Sequence, residues 1–186
     1  MADTEFVLLG DALWLEFANT RPVNGRPDAL PDPQAYLRWT KAMRLEASAG
    51  AVGFDQARSF RDQLVNLAQA LQESRRPPGS AIEAVNARLA PLEGRERLLR
   101  VGGSWRIRFA PARPPGALEA IARSVAETLA DPLALVRLCA NEACGLFLID
   151  DSPGRGRRWC SPLRCGTRGR IERRRKSRPT PLVPES

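Results

Sequence analysis

The sequence predicts an α+β protein, mainly helical with one β-hairpin, followed by a small module held by its cysteines. Three observations predict this. Five segments before residue 137 carry apolar residues at helical spacing, and a Gly-Gly-Ser triplet is flanked by strand-like runs. All four cysteines fall in two copies of one pattern, Cys139-x4-Cys144-Gly145 and Cys160-x4-Cys165-Gly166. With 186 residues, 43% of them apolar, the chain can bury one proper core and carry a small appendage.

Leu8 to Thr20 places Leu9, Leu13, Trp14 and Phe17 on one helical stripe, and a loop follows from Arg21 to Pro33. Asp32-Pro33 has the form of an N-cap with proline at the first helical position, so Tyr36, Leu37 and Met43 belong to a helix over about 34–48. Gly50 and Gly53 punctuate the chain. Asp55 to Ser74 then aligns Phe60, Leu64, Leu67, Ala68 and Leu71. The stretch Arg75 to Ser80 breaks that helix, and Ser80 with Glu83 forms a capping-box signature for a helix ending before Pro91. Leu98–Val101 and Trp105–Phe109 flank Gly102-Gly103-Ser104, the pattern of a hairpin, and Trp105, Ile107 and Phe109 alternate as if one face were buried. Residues 116–137 carry Leu118, Ile121, Val125, Leu129, Leu133 and Val136 at helical spacing, interrupted at Pro132, and this helix is expected to lead into Cys139.

The net charge of +8 is localised. Residues 137–178 hold 12 Lys/Arg against 4 Asp/Glu, and the rest of the chain carries 17 of each sign. A polyanionic partner is therefore implied for one segment only. No apolar run approaches the roughly 18 residues of a membrane span, and Met1 to Glu5 lack the basic start of a signal peptide, so a cytoplasmic protein with no membrane partner is expected. There is no histidine, which excludes histidine catalysis and any histidine-containing metal site.

In a reducing compartment clustered cysteines more often bind metal than form disulfides. Zinc takes four tetrahedral thiolates in a closed structural site, so one structural Zn2+ on Cys139, Cys144, Cys160 and Cys165 is expected. Four buried thiols, or two disulfides in an exported protein, are the alternatives. Glycine after the second cysteine of each pair allows a left-handed turn that directs backbone N–H groups at the thiolates. Between the pairs, Leu146–Ile149, the turn Asp150–Gly154, and Arg155–Trp159 suggest strand, turn, strand, and the second pair opens a helix. Knuckle, hairpin and helix together have a treble-clef-like layout. Four cysteine ligands leave no position for substrate, so no catalytic residue is nominated and the protein is not expected to be an enzyme.

From Arg164 to Arg178 there are eight basic residues and one acid. Ile171 is the tract's one clearly apolar side chain, so a helix here gains little by packing on its own domain. Phosphates would relieve the repulsion, and arginine pairs with phosphates and with guanine edges. The candidate nucleic-acid contacts are Arg157, Arg158, Arg164, Arg168, Arg170, Arg173, Arg174, Arg175, Lys176 and Arg178. Trp159 is assigned to packing beneath the metal site in preference to base stacking. Residues 179–186 contain three prolines in Pro179, Pro181 and Pro184 and are expected to be a disordered tail.

The run Arg137-Leu138-Cys139-Ala140-Asn141-Glu142-Ala143-Cys144-Gly145, with Arg158-Trp159-Cys160-Ser161 and Cys165-Gly166-Thr167-Arg168, resembles the CGNR zinc-finger family. Leu13-Trp14-Leu15-Glu16-Phe17-Ala18-Asn19-Thr20 resembles the opening of the ABATE domain, which precedes that finger in stress-induced transcription regulators. The resemblance implies a helical ABATE-like domain over 1–136, a finger with a basic helix over 137–178, zinc on the four cysteines and DNA contact by the finger. Thr167 stands where the family motif has asparagine, which bears on sequence specificity more than on folding. Trp14, Glu16, Asn19 and Thr20 form a candidate effector pocket for a small molecule, or else cap their helix and bond the next loop. The function this implies is a zinc-dependent, DNA-binding transcription regulator favouring duplex DNA, with a homodimer as a further association. An RNA-binding or ribosome-associated module and a ligand-processing enzyme in the helical domain are the alternatives, because arginine-rich segments do not separate DNA from RNA.

Overall fold

A computed structural model describes residues 6–9, 11–46, 51–169 and 171. The helices are α1 (Leu13–Ala18), α2 (Pro33–Ala42), α3 (Ala51–Gln72), α4 (Gly79–Leu89) and α5 (Ala117–Ala130). Strands β1 (Gly94–Val101) and β2 (Ser104–Pro111) form one antiparallel ribbon, and β3 (Val136–Leu138) and β4 (Phe147–Ile149) form another. A π-helical turn, Pro162–Gly166, follows near the end of the described chain. The protein is α+β and mainly helical.

The short α1 is the centre of the core. Trp14, Leu15, Phe17 and Ala18 are all fully buried, because the helix is wrapped on every side, chiefly by α3 and α5. The Trp14 indole donates to the Thr128 hydroxyl of α5 at 2.9 Å, which satisfies its polar atom inside the core. Around α1 pack Tyr36 and Trp39 from α2, Phe60, Leu64 and Leu67 from α3, and Ile121 and Val125 from α5. Phe17 and Trp39 pack in a tilted arrangement, 5.2 Å between ring centroids and 42° between planes. Arg61 of α3 is buried, and its terminal nitrogens donate to the Asp28 carboxylate at 2.7 and 2.6 Å and to the Thr20 hydroxyl at 3.1 Å.

Several boundaries differ from those predicted, each for a local reason. The first helix begins at Leu13, not near Leu8. The Glu16 carboxylate accepts from the N–H groups of Leu9 and Asp11 at 2.8 and 3.0 Å, so these two residues form a non-helical N-terminal strap tied back to the helix. Asp32 does cap α2, accepting from Ala35 N–H at 2.8 Å with Pro33 first in the helix, but α2 stops at Ala42 as Arg44 takes a positive φ of 57°. The next helix starts at Ala51 and runs through Gly53. Ser80 is inside α4, which begins at Gly79 after Pro78 without a side-chain cap, so the Ser80–Glu83 capping box does not form. Helix α5 ends at Ala130. Pro132 disfavours helical backbone in the residue before it, and Asp131 is extended, at φ −90° and ψ 108°. Strand β3, not a helix, therefore leads into Cys139.

The predicted hairpin is present with a two-residue turn at Gly102 and Gly103, whose φ values of 57° and 84° suit a twist-matched hairpin. Its alternating face is not buried. Trp105 is 66% exposed and Ile107 65%, because the ribbon projects beyond α5 instead of lying on the core.

Candidate metal centre and basic surface

The cysteine module begins on a strand with two buried faces. Phe147 and Ile149 of β4 pack on the helical core, whereas Leu146 and Leu148 pack on the cysteines. An uninterrupted apolar run at period two serves two cores at once. Strand β4 pairs with β3, and Cys139 N–H donates to Leu146 C=O at 2.9 Å to continue the ladder. The predicted second strand, residues 155–159, is not a strand. It passes as a loop whose Arg158 carbonyl accepts from Ala140 N–H at 2.7 Å, and that bond brings Cys160 to the knuckle.

Both pairs are shaped by capping chemistry. In the first, Asn141 is buried, and its side-chain oxygen accepts from Ala143 N–H at 3.2 Å while its amide donates toward Cys165 Sγ at 3.6 Å. Gly145 has φ +68°. In the second, Ser161 caps the π-helical turn by accepting from Arg164 N–H, Pro162 follows it, and the N–H groups of Cys165 and Gly166 both donate to Ser161 C=O at 3.0 Å. Gly166 is not in the left-handed region, so the predicted turn role holds for one glycine of the two.

The four sulfurs are buried and lie within 4.8 Å of one another. Cys160 Sγ is 3.6 Å from both Cys144 Sγ and Cys165 Sγ. A tetrahedron with metal–sulfur bonds of about 2.3 Å has sulfur–sulfur edges of about 3.8 Å, so the donor set fits one structural zinc held by Cys139, Cys144, Cys160 and Cys165. The thiols are strongly interdependent. Hydrogen bonds from the Cys144 and Cys160 thiols, and from backbone N–H groups, hold the Cys139 thiol well below its ordinary range. Donation to Cys139 pushes Cys144 up, and Cys160 is pushed up by the same donation and by Cys144. Four packed thiols cannot all ionise without a cation among them, and a divalent ion supplies that charge.

A clamp from the helical part, missed at the level of sequence, holds this module. The Asn19 side chain brackets Phe147 like a strand partner, donating to its carbonyl and accepting from its N–H, each at 2.9 Å. Arg21 donates to Gly145 C=O at 2.9 Å and lies over the Phe147 ring at 4.5 Å, and burial lowers its pKa. Asn24 donates to Glu142 C=O at 2.7 Å, and Arg26 donates to Cys144 C=O. The Asn24-Gly25 turn, with φ 48° and 79°, was the available signal, since that dipeptide favours tight hairpins. Asp150, buried at the end of β4, accepts from Ser152 and Arg137. Burial alone would raise its carboxyl, but these partners hold it down at about 2.

The candidate nucleic-acid contacts divide by environment. All four terminal N–H donors of Arg157 are used, on Asp11 Oδ1 and Oδ2 at 2.6 and 3.1 Å and on the carbonyls of Ile149 and Cys160, so this residue joins the module to the N-terminal strap. Burial pushes the Asp11 carboxyl up, opposed by Arg157. Arg158, Arg164 and Arg168 are exposed. Arg164 and Arg168 border a groove of about 630 Å³ beside Cys165, together with Arg26, Leu163 and Thr167. Thr167 takes helical backbone and its hydroxyl points to Pro162 C=O at 3.5 Å. Trp159 packs on the cysteine cluster, its indole 3.0 Å from where a Cβ on Gly169 would sit. Arg170, Arg173, Arg174, Arg175, Lys176 and Arg178, like the predicted tail 179–186, lie outside the described residues. Of the candidate effector residues, Trp14 and Glu16 are buried in packing and hydrogen bonds. Asn19 and Thr20 border a cavity of about 190 Å³ with Phe6, Arg26 and Trp39.

A helical domain carrying a closed four-thiolate site on its flank defines a zinc-finger protein. Residues 11–132 match the ABATE family, described as "Putative stress-induced transcription regulator", and residues 136–178 match the CGNR zinc finger. The chain belongs to the ABATE family and carries a CGNR zinc finger at its C-terminal side. No curated protein matches it. Among the described residues no helix is long and apolar enough to cross a membrane.

Proposed function

We propose that this protein is a cytoplasmic transcription regulator that binds duplex DNA through its zinc finger, acting by binding and not by catalysis. The observation that carries the proposal is the placement of exposed Arg158, Arg164 and Arg168 on the cysteine module, at the head of a tract that completes the chain's entire net charge of +8. Zinc, when bound, fixes the start of that tract. Ser161 and Pro162 set the direction in which it leaves, and Trp159 supports it from below through Gly166 and Gly169. The arginines neutralise phosphates, and those at the head of the tract reach base edges. The family's description as a transcription regulator supports the same reading. In this proposal residues 1–136 are the sensing or association domain, and the cavity beside Asn19 and Thr20 is where a small effector would act on the clamp.

The test is a mobility-shift titration of zinc-loaded protein with duplex DNA and with RNA across salt. Six to eight phosphate contacts give a slope of log K against log salt of roughly −5 to −7 on DNA. A flat salt response, or equal or tighter binding to RNA, would overturn the assignment.

A further inference from the structure

The ribbon β1–β2 is exposed along most of both strands and is tied to α5 at its Phe109 end, where Arg123 donates to the Phe109 carbonyl at 2.9 Å. This is a costly arrangement for a two-stranded unit, since isolated ribbons are marginal in water. Its pairing register separates the faces sharply. On one face Leu98 lies opposite Ile107, Glu96 opposite Phe109 and Arg100 opposite Trp105. On the other, Arg97 lies directly opposite Arg108, with Arg95 and Arg106 beside them and Leu99 and Val101 as its two exposed apolar side chains. The first face holds a cluster of exposed apolar side chains: Leu98 is 62% exposed, Trp105 66%, Ile107 65% and Phe109 36%. It continues into a concavity of about 420 Å³ floored by Leu89, Leu92, Ala126 and Ala130. An apolar patch of this kind on a ribbon rimmed by arginine marks an interaction site.

We propose that this face binds a second copy of the chain, ribbon on ribbon, about a two-fold axis through the Leu98–Ile107 row. The argument is self-complementarity. A two-fold axis parallel to the plane of the ribbon, just above its apolar face, and perpendicular to its strands sets each residue against the one equally far on the other side of the row. Leu98 then meets the partner's Leu98, and Ile107 the partner's Ile107. Glu96 meets the partner's Arg100, and Phe109 meets the partner's Trp105. The row pattern of acid, apolar, base along β1 is what an isologous contact needs, because it turns one face into its own opposite. The reverse face pairs this way less well, since a two-fold axis through its Arg97–Arg108 row or its Leu99–Arg106 row sets an arginine against the same arginine of the partner. Eight residue pairs give a face about 26 Å by 10 Å, small beside the roughly 800 Å² per partner of a standard interface, so with the adjoining concavity it suits a weak, reversible dimer in place of an obligate one. Dimerisation leaves the arginine face outward and sets two zinc fingers on one assembly, and it does not depend on what the fingers bind.

Sedimentation equilibrium of the zinc-loaded full chain, without nucleic acid, tests this. The wild type is expected to dimerise reversibly at micromolar concentration. Ile107→Glu sets two carboxylates against each other and should raise the dissociation constant about a hundredfold, and Glu96→Arg about tenfold, by juxtaposing like charges. The double variant E96R/R100E restores the ion pairs with reversed sign and should return the constant to within about threefold of wild type. These positions are exposed, so zinc content and circular dichroism should not change. A wild type that stays monomeric to hundred-micromolar concentration, a dimer indifferent to Ile107→Glu, or a double variant no better than Glu96→Arg would each overturn the proposal. So would ribbon variants that alter nucleic-acid affinity in a monomeric protein, which would make the ribbon a nucleic-acid contact.

Discussion

Replacing Gly145 by alanine should loosen the zinc finger from the helical domain, and its cost can be worked from two independent strains. At φ +68° alanine pays about 1–2 kcal/mol for left-handed backbone. Its Cβ would also stand 2.3 Å from Val23 Cγ2 and 2.9 Å from Asn24 Nδ2, a clash within the clamp that costs about 1–3 kcal/mol to relax. The sum is about 2–5 kcal/mol, a large part of the stability of a domain this size. Urea unfolding of the zinc-loaded protein in reducing buffer measures it, and zinc transfer to a chromogenic chelator shows whether the site loosens in step. Val23→Ala in the same chain removes the closest contact but neither the Asn24 contact nor the backbone strain, so, measured against Val23→Ala alone, the cost of Gly145→Ala should fall by about 1 kcal/mol. Gly166→Ala is the internal control. Its Cβ meets Trp159 and Ser161 at 3.6–3.7 Å in right-handed backbone, which is ordinary contact, and the change should be near neutral. If Gly145→Ala falls within about 0.5 kcal/mol of wild type, or Gly166→Ala is the worse of the two, the account of the clamp is wrong.

The arginines should separate by role. Arg157→Ala should lower stability by about 1–3 kcal/mol, since it strips a bidentate partner from Asp11, yet leave the salt slope of nucleic-acid binding unchanged. Arg164→Ala and Arg168→Ala should leave stability unchanged and each reduce that slope by about 1. Removing zinc with a chelator, or changing Cys139 to serine, should drop metal content below about one ion per chain and unfold the finger while near-native helix content persists, because α1 to α5 share a core without the cysteines. Retention of one zinc by Cys139→Ser would contradict the four-thiolate site. Asp150 is held down at about 2, so its contribution is fully present above its ordinary value of 3.8 and lost as pH falls through 2. Asp150→Asn should therefore cost about 1–3 kcal/mol at neutral pH, a difference that narrows below about pH 4 and closes only near pH 2 in acid titrations followed by circular dichroism. A pH-independent difference would place the effect in packing.

How much was legible can be argued from particular residues. The helices of the core followed from their periodicity, and Asp32-Pro33 marked the start of α2 because capping is local chemistry. The same signature at Ser161-Pro162 sits between two cysteines and sets the turn that presents the arginines. The metal ligands were legible because four thiolates with no histidine in the chain leave one kind of closed site. The hairpin register was legible from Gly102-Gly103, but which way its faces look was not. Alternation states that two faces differ, and only the position of α5 decides that neither lies on the core.

The sequence by itself determined local facts: which segments are helical, the capped start of α2, where the ribbon turns, which atoms bind metal, and that the whole net charge lies in one segment. Each depends on neighbours a few residues apart. Tertiary structure decided everything that rests on residues far apart in the chain. It made Asn19, Arg21, Asn24 and Arg26 a clamp on a knuckle more than a hundred residues later, and it gave β4 one face for each of two cores. It also divided the Cys-Gly repeat. Gly145 meets Val23 across the fold while Gly166 meets only its own turn, and no spacing within either motif encodes that difference.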